Sequence, residues 1–277
     1  MKKISYSQYS MWAQCPHRWK TAYIDDKREF KESIHTLFGT SMHEVIQTFL
    51  TVMYEDTAKA AEALPLKEML RIRMKRNYEQ AMIKNGGEEF CTQKDMVEFY
   101  EHGLLILEFI KKKRAQYFSK KGYELVGIEV PLEYDLPNGV KFIGYIDVVI
   151  RDTVRDVIKI YDIKTSTMGW NKWQKADKIK TDQLLLYKQF YSKQFNHPMD
   201  KIEVEYFIVK RKLYENLDFP QKRVQKFTPA NGTPSINQVT KRLSEFMTEC
   251  FTSDGEYNTE HIYRKEASKK NCRFCEF

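Results

Sequence analysis

Three stretches of this 277-residue chain predict an α/β fold: a mixed sheet flanked by helices, with a helical insertion. Residues 140–150 alternate and are β-branched, and residues 157–164 follow as a second run of the same kind, the period-two signature of neighbouring strands. Pro137-Asn138-Gly139 separates two alternating runs, 123–136 and 140–150, and so marks a hairpin. Residues 65–119 and 176–195 carry apolar residues at helical spacing and supply the flanking layers.

In chain order, Ser5 or Ser7 provides an N-cap for a first helix running to about Trp19. Residues 24–36 are charged and irregular and read as a loop. A helix starting at Gly39 carries His43, Val45, Ile46, Phe49, Leu50 and Met53, and His43 and Gln47 stand one turn apart on it. In the insertion, Pro65 opens a helix to about Lys84, Asn85-Gly86-Gly87 breaks it, and a long helix follows over 94–119. The stripe of that helix (Met96, Phe99, Tyr100, Gly103, Leu107, Ile110, Tyr117) reads as core, with a lobe or arch over the active site as the alternative. After the hairpin and the strand at 157–164 come a loop over 165–173 and a helix over 176–195 with Ile179, Gln183, Leu186, Tyr187 and Phe190 on one face. Strands at 201–210 and 223–227, a helix over 235–251 and a basic tail over 261–277 complete the chain. One domain over 1–277 is expected: N-terminal helices (1–60), insertion (61–121), sheet core (122–210), and C-terminal helix with tail (211–277).

The chemistry lies on the two central strands. Asp147 and Asp162 fall on neighbours, and the strand period puts Asp162 and Lys164 on one face while Ile163 enters the core. Two carboxylates and a backbone carbonyl can hold a hard dication without a closed cage, and a lysine beside them can orient or deprotonate water. Phosphodiester hydrolysis follows from such a set. Glu129 alternates with apolar neighbours and by itself reads as a solvent-facing strand residue. Gln183 is polar on an apolar stripe and needs a partner, which an active site would provide.

Gly39-Thr-Ser-Met-His43, Gly144-Tyr-Ile-Asp147, Asp162-Ile-Lys164 and Gln183-x-x-x-Tyr187, in this order, resemble the PD-(D/E)XK nuclease superfamily. Within it they resemble the RecB-like branch, which includes the AddB nuclease domain and CRISPR-associated adaptation nucleases. The resemblance implies His43, Asp147, Asp162 and the Ile163 carbonyl as ligands of Mg²⁺ or Mn²⁺, with Lys164 positioning water. It implies Gln183 and Tyr187 as supports for the lysine or the substrate, and Glu129 as a further acidic group near the metals. The superfamily's proline before the first acid is replaced by Ile146. Cys15-Pro16 with Cys272 and Cys275 also resembles the ends of the branch's iron-sulfur members, which implies a [4Fe-4S] cluster. The fourth cysteine is not evident, and a zinc site completed by His17, His261 or Cys250 is the alternative.

A net charge of +8 and a pI near 9 fit a polyanionic partner. Basic clusters at Arg71, Arg73, Lys75 and Arg76, at Lys210 to Lys212, and at Lys269, Lys270 and Arg273 are candidates, a solvated helix face being the plain alternative. The DNA-contact candidates are Lys111, Lys112, Lys113 and Arg114, with Trp170, Lys172 and Trp173 for stacking and backbone contacts, ordinary packing being the alternative for the tryptophans and the favoured reading for at least one. No apolar run reaches membrane-span length, and a cytoplasmic location without membrane contact is expected. The expected function is a metal-dependent exonuclease on linear or single-stranded DNA ends, in recombination, repair or phage replication, beside a recombination or replication protein. A structure-specific endonuclease and a non-catalytic DNA-binding adaptor are the rivals, and oligomeric state stays open.

Overall fold

The computed structural model describes residues 1–28, 32–215, 218–272 and 275. Strands β1 (Lys3–Ile4), β2 (Tyr123–Asp135), β3 (Lys141–Asp152), β4 (Val157–Ser166), β5 (Ile202–Lys210) and β6 (Val224–Phe227) form one sheet in the order β1-β3-β4-β5-β6, with β2 paired to β3. The sheet is mixed: β1 on β3 and β4 on β5 are parallel, the other pairs antiparallel. In the β2–β3 turn, Asn138 and Gly139 have φ of 65° and 69°, a left-handed conformation that these two residue types adopt at little cost.

Helices close both faces. On one side lie α1 (Tyr6–Gln14), α2 (Pro16–Tyr23), α8 (Lys178–Gln194) and α9 (Thr233–Cys250). Their core joins Tyr9, Trp19, Leu186, Phe190 and Phe246 to Phe142, Ile146 and Ile160 of the sheet. On the other side lie α3 (Ile34–Glu55), α4 (Ala58–Ala63), α5 (Leu66–Lys84) and α6 (Gln93–Tyr117). There Phe38, Val45, Phe49, Leu70, Phe99 and Leu107 meet Val148, Ile163 and Phe207. A short α7 (Lys172–Ala176) precedes α8, and α10 (Lys269–Cys272) lies in the tail.

The expected elements are present with shifted ends, and each shift has a local cause. The first helix is two, because Cys15 is extended (φ −159°) and Pro16, which lacks an N–H, starts a new one. The helix of His43 begins at Ile34, ahead of Gly39, where Ser33 and Thr36 form a reciprocal capping box. The α5–α6 stretch packs with α3 in the second core. A Cβ on Gly103 would lie 2.5 Å from Leu70 and 3.1 Å from Phe38, so α3, α5 and α6 touch through that glycine. Arg273 and the side chain of Lys270 lie outside the described residues. No helix among the described residues is long and apolar enough to cross a membrane.

Candidate active site

The sheet opens where the two aspartates stand. β2 pairs with β3 along its length, while β1 and β4 share the opposite edge: Phe142 pairs with Ile4 and Tyr134, and Val148 with Tyr161 and Ile128. Pairing of β3 with β4 starts at Val148↔Tyr161, so the strands have parted at the next position, Asp147 and Asp162. A side chain takes over from the ladder there, the Ile163 N–H donating to Asp147 Oδ2 at 2.6 Å.

On β4, Ile158 and Ile160 join the α8-side core and Tyr161 and Ile163 the α3-side core, which puts Asp162 and Lys164 on the α8 face by period. Lys164 Nζ lies 2.7 Å from Asp162 Oδ2. On β2 and β3 the faces reverse at the site. Ile128 and Val148 pack with α3, whereas Val130 and Ile146, two residues away on their strands, pack with α8. The reversal falls at Glu129 and Asp147. Glu129 has φ 49°, a left-handed conformation costing of order 1 kcal/mol for a non-glycine residue.

From the α3 side, His43 Nδ1 approaches Asp147 Oδ2 at 3.6 Å. One turn on, buried Gln47 donates through Nε2 to Glu129 Oε1 and lies 3.5 Å from the Asp147 carbonyl oxygen. Gly39 lets α3 sit close to the end of β4, since a Cβ there would be 3.3 Å from Thr165 Oγ1. From the α8 side, the Tyr187 ring rests on Gly144, where a Cβ would be 3.2 Å from Cε1. Gln183 Nε2 donates to the Tyr187 hydroxyl at 3.2 Å, so its protein partner is the other member of its own motif.

Sequence reasoning passed over what holds these groups. Gln47 is one case: its position one turn after His43, able to face the same cleft, was readable, but its hold on Glu129 was not. Three tyrosines and an arginine that fasten α8 are the other. Tyr6 OH donates to the Ile179 carbonyl at 3.0 Å, Tyr206 OH to the Lys180 carbonyl at 2.6 Å, and Tyr9 OH to Asp182 Oδ2 at 2.6 Å. Arg242 Nε adds a 2.9 Å bond to the same Asp182 oxygen, and Asp182 is wholly buried. A lone aspartate early in a helix gave no signal of this.

Burial governs the electrostatics. It pushes Asp147 and Asp162 up to about 6 even though Lys164 pulls both down. It also pulls His43 below its usual range, against the attraction of Asp162, so the ring is neutral at neutral pH. Burial would lower Lys164 as well, but Asp162 and Asp147 outweigh it and hold the ammonium charged. Tyr187 is pushed up by burial and by Asp162. The pocket therefore holds more negative charge than its lysine balances.

These donors fit a hard divalent cation. Asp162 Oδ2 is buried without a hydrogen-bond partner; its contact with Lys164 is a close ion pair outside hydrogen-bonding angles. Carboxylate oxygens, the Ile163 carbonyl and a neutral imidazole form an oxygen-rich set. Among the described residues no group of three or more His, Cys, Asp or Glu side chains is arranged to hold a metal ion.

The cysteines fare differently. The tail folds back on the α1–α2 junction: Asn271 Nδ2 donates to the Gln14 carbonyl at 2.9 Å, and the Glu266 N–H lies 3.5 Å from Cys15 Sγ. Yet Cys15, Cys272 and Cys275 are free thiols that form no grouped ligand set among the described residues, so the iron-sulfur and zinc expectations find no support.

Among the DNA-contact candidates, Trp170 is a correction. It is buried, 4.7 Å ring to ring from Tyr206, and cannot stack on a base. Trp173 is 72% exposed with Lys172 Nζ 4.9 Å from its ring. Arg114 is tied to Glu62 at 2.8 Å, while Lys112 and Lys113 are exposed and Lys111 is half-buried. Other basic clusters are also structural: Arg71 pairs with Glu68, Arg73 and Arg76 with Glu44, and Arg211 and Lys212 with Glu98.

A mixed sheet between helical layers, with two acids at a strand fork and a lysine beside the second, defines a nuclease core. The chain matches the PD-(D/E)XK nuclease superfamily over residues 3–277 and belongs to it. By that membership it is a hydrolytic nuclease. A crystal structure from Eubacterium rectale, titled as a candidate exonuclease, superposes with a TM-score of 0.54 at 14% identity, covering 99% of this chain and 86% of that one. At that identity the likeness shows the fold alone. The structure of SSO0001 gives a TM-score of 0.31 at 11% identity over 98% of this chain and 93% of its own. No protein of curated function matches the chain.

Proposed function

We propose that this protein is a Mg²⁺- or Mn²⁺-dependent exonuclease of the RecB-like branch that hydrolyses DNA from its ends. The observation that carries the metal-dependent reading is the fork at Asp147 and Asp162, with the buried Asp162 carboxylate ion-paired to the Lys164 ammonium. Asp147, Asp162, the Ile163 carbonyl and His43 would hold the metal, and Glu129 would stand as an outer acidic group. A bound divalent ion supplies charge neutralisation at the scissile phosphate and makes water a better nucleophile.

The chain's own groups do the rest. Lys164, held charged by two carboxylates, orients the attacking water and meets negative charge as it develops on the phosphate. Gln47 keeps Glu129 in its left-handed turn and so fixes the backbone opposite Asp147. Tyr187 and Gln183 wall the pocket on the α8 side and offer hydroxyl and amide groups to a phosphate oxygen. Action at ends rests on the resemblance of the motifs to end-processing members of the branch, and a role in recombination, repair or phage replication rests on the same ground.

The test is cleavage of end-labelled linear DNA beside a covalently closed circle, with Mn²⁺, Mg²⁺ or EDTA, for wild type and Asp162→Ala. Metal-dependent loss of the linear substrate alone, abolished by the substitution, is the expected result. Cleavage of the circle would make the protein an endonuclease, and binding without cleavage would make it an adaptor.

A further inference from the structure

Several basic clusters of the molecule are ion-paired at home, whereas the lysines around α7 are not. Lys172, Lys175, Lys178 and Lys180 lie within nine residues across α7 and the start of α8, and no ion pair among the described residues includes them. Three of them lean on rings: Lys172 on Trp173 at 4.9 Å, Lys180 on Trp170 at 5.4 Å and Lys175 on Phe227 at 5.8 Å. Lys175 and Lys178 also line a cleft of about 230 Å³ with Ser235, Gln238 and Arg242. The one acid on its wall, Asp182, is already bonded to Arg242 and Tyr9. The cleft is therefore cationic and large enough for a phosphodiester group.

Trp173 adds the second half of a recognition element. It is a large ring at 72% exposure on a five-residue helix, outside both hydrophobic cores, where burial gives it no reason to be. The helix is nonetheless fixed in place, since Asn171 and Gln174 form a reciprocal capping box and Gln225 clamps the Trp170 backbone in both directions. A rigidly mounted aromatic beside unpaired lysines matches the chemistry of an unstacked base on a charged backbone. In a duplex the base faces are already occupied.

We propose that α7 and the first turn of α8 form a grip for single-stranded DNA, with a base stacked on Trp173 and a phosphate held in the cleft by Lys175 and Lys178. The grip lies on α8, the helix that also carries Gln183 and Tyr187. It rests on the nuclease reading for its purpose, but its binding is measurable without catalysis.

The experiment measures fluorescence anisotropy of full-length protein in EDTA with a labelled oligo-dT and with a blunt duplex, across a salt series. Trp173→Ala is expected to weaken oligo-dT binding about tenfold and leave duplex binding unchanged. Lys175→Ala/Lys178→Ala is expected to reduce the salt slope on oligo-dT by about 1.4. Lys112→Ala/Lys113→Ala, remote on α6, is expected to change neither. Equal oligo-dT affinity for wild type and Trp173→Ala, or an equal loss on duplex, would overturn the grip. Wild-type cleavage assayed in parallel separates the two ideas: cleavage with an unaffected Trp173→Ala overturns the grip alone, whereas Trp173-dependent binding without cleavage supports the grip and removes the nuclease reading.

Discussion

Asp147 and Asp162 are destabilising charges kept for their chemistry. Both are raised from the ordinary carboxylate range to about 6 by burial, so the folded state holds their protons more tightly than the unfolded chain does. Their contribution to stability is thus fully present below about pH 4 and is lost as pH rises through about 6. At pH 7.5 a neutral isostere removes that penalty, so Asp147→Asn, which leaves Lys164 its ion pair with Asp162, should raise the melting temperature of metal-free protein by about 3–8 °C while abolishing cleavage. At pH 5, where the wild-type carboxyl is mostly protonated, the difference should shrink toward zero. Thermal scans at the two pH values check this, and a lower melting temperature for the variant at pH 7.5 would refute it. The same protons compete with a metal, so Mn²⁺ should stabilise wild type strongly at pH 7.5 and weakly at pH 5, by the same scans. The spacing Asp162-x-Lys164 made the shared face legible, because strand geometry follows from period alone. Glu129 was not legible as the residue at which two strands change faces, since glutamate is not among the residue types, such as glycine and asparagine, that signal a left-handed turn.

Elements meet at glycines here, and those contacts set the pocket's width. Gly144 admits the Tyr187 ring and Gly39 admits Thr165, each leaving just over 3 Å for an absent Cβ. In Gly144→Ala the new methyl meets a ring that Gln183 and the α8 core hold in place, so α8 must move outward. We expect a stability loss of about 1–3 kcal/mol, as for overpacking, with at least a tenfold fall in kcat as Tyr187 leaves the fork. Urea denaturation and steady-state cleavage separate the effects; a wild-type rate would mean that Tyr187 does not need this position. Helices and strands were readable from sequence because their apolar periods are long. Their junctions were not: β1, α4 and α7 are too short to show a period, and Cys15-Pro16 splits a helix whose polar pattern runs through. The fastening of α8 through Asp182 joins residues more than fifty positions apart in sequence, which no local pattern encodes.

At the scale of the whole molecule, charge is sorted into two kinds that composition cannot distinguish. A net +8 predicts affinity for a polyanion, yet Arg211, inside one of the basic clusters, is buried, bonded to Glu98 Oε1 at 2.8 Å and centred 3.9 Å from the Phe99 ring. It joins the end of β5 to α6, and its own N–H donates to the Ser166 carbonyl at 2.8 Å, so it ties the second helical layer to the strand that carries Asp162 and Lys164. Removing it leaves Glu98 with Lys212 alone and strips a cation from an aromatic face. Arg211→Met, which keeps most of the volume, should therefore lower the midpoint of urea denaturation while leaving the salt slope of DNA binding unchanged. Lys175→Ala/Lys178→Ala should do the reverse, lowering the slope at nearly constant stability. If Arg211→Met instead lowers the slope and spares stability, the buried arginine belongs to the DNA surface and the division between structural and binding charge is wrong.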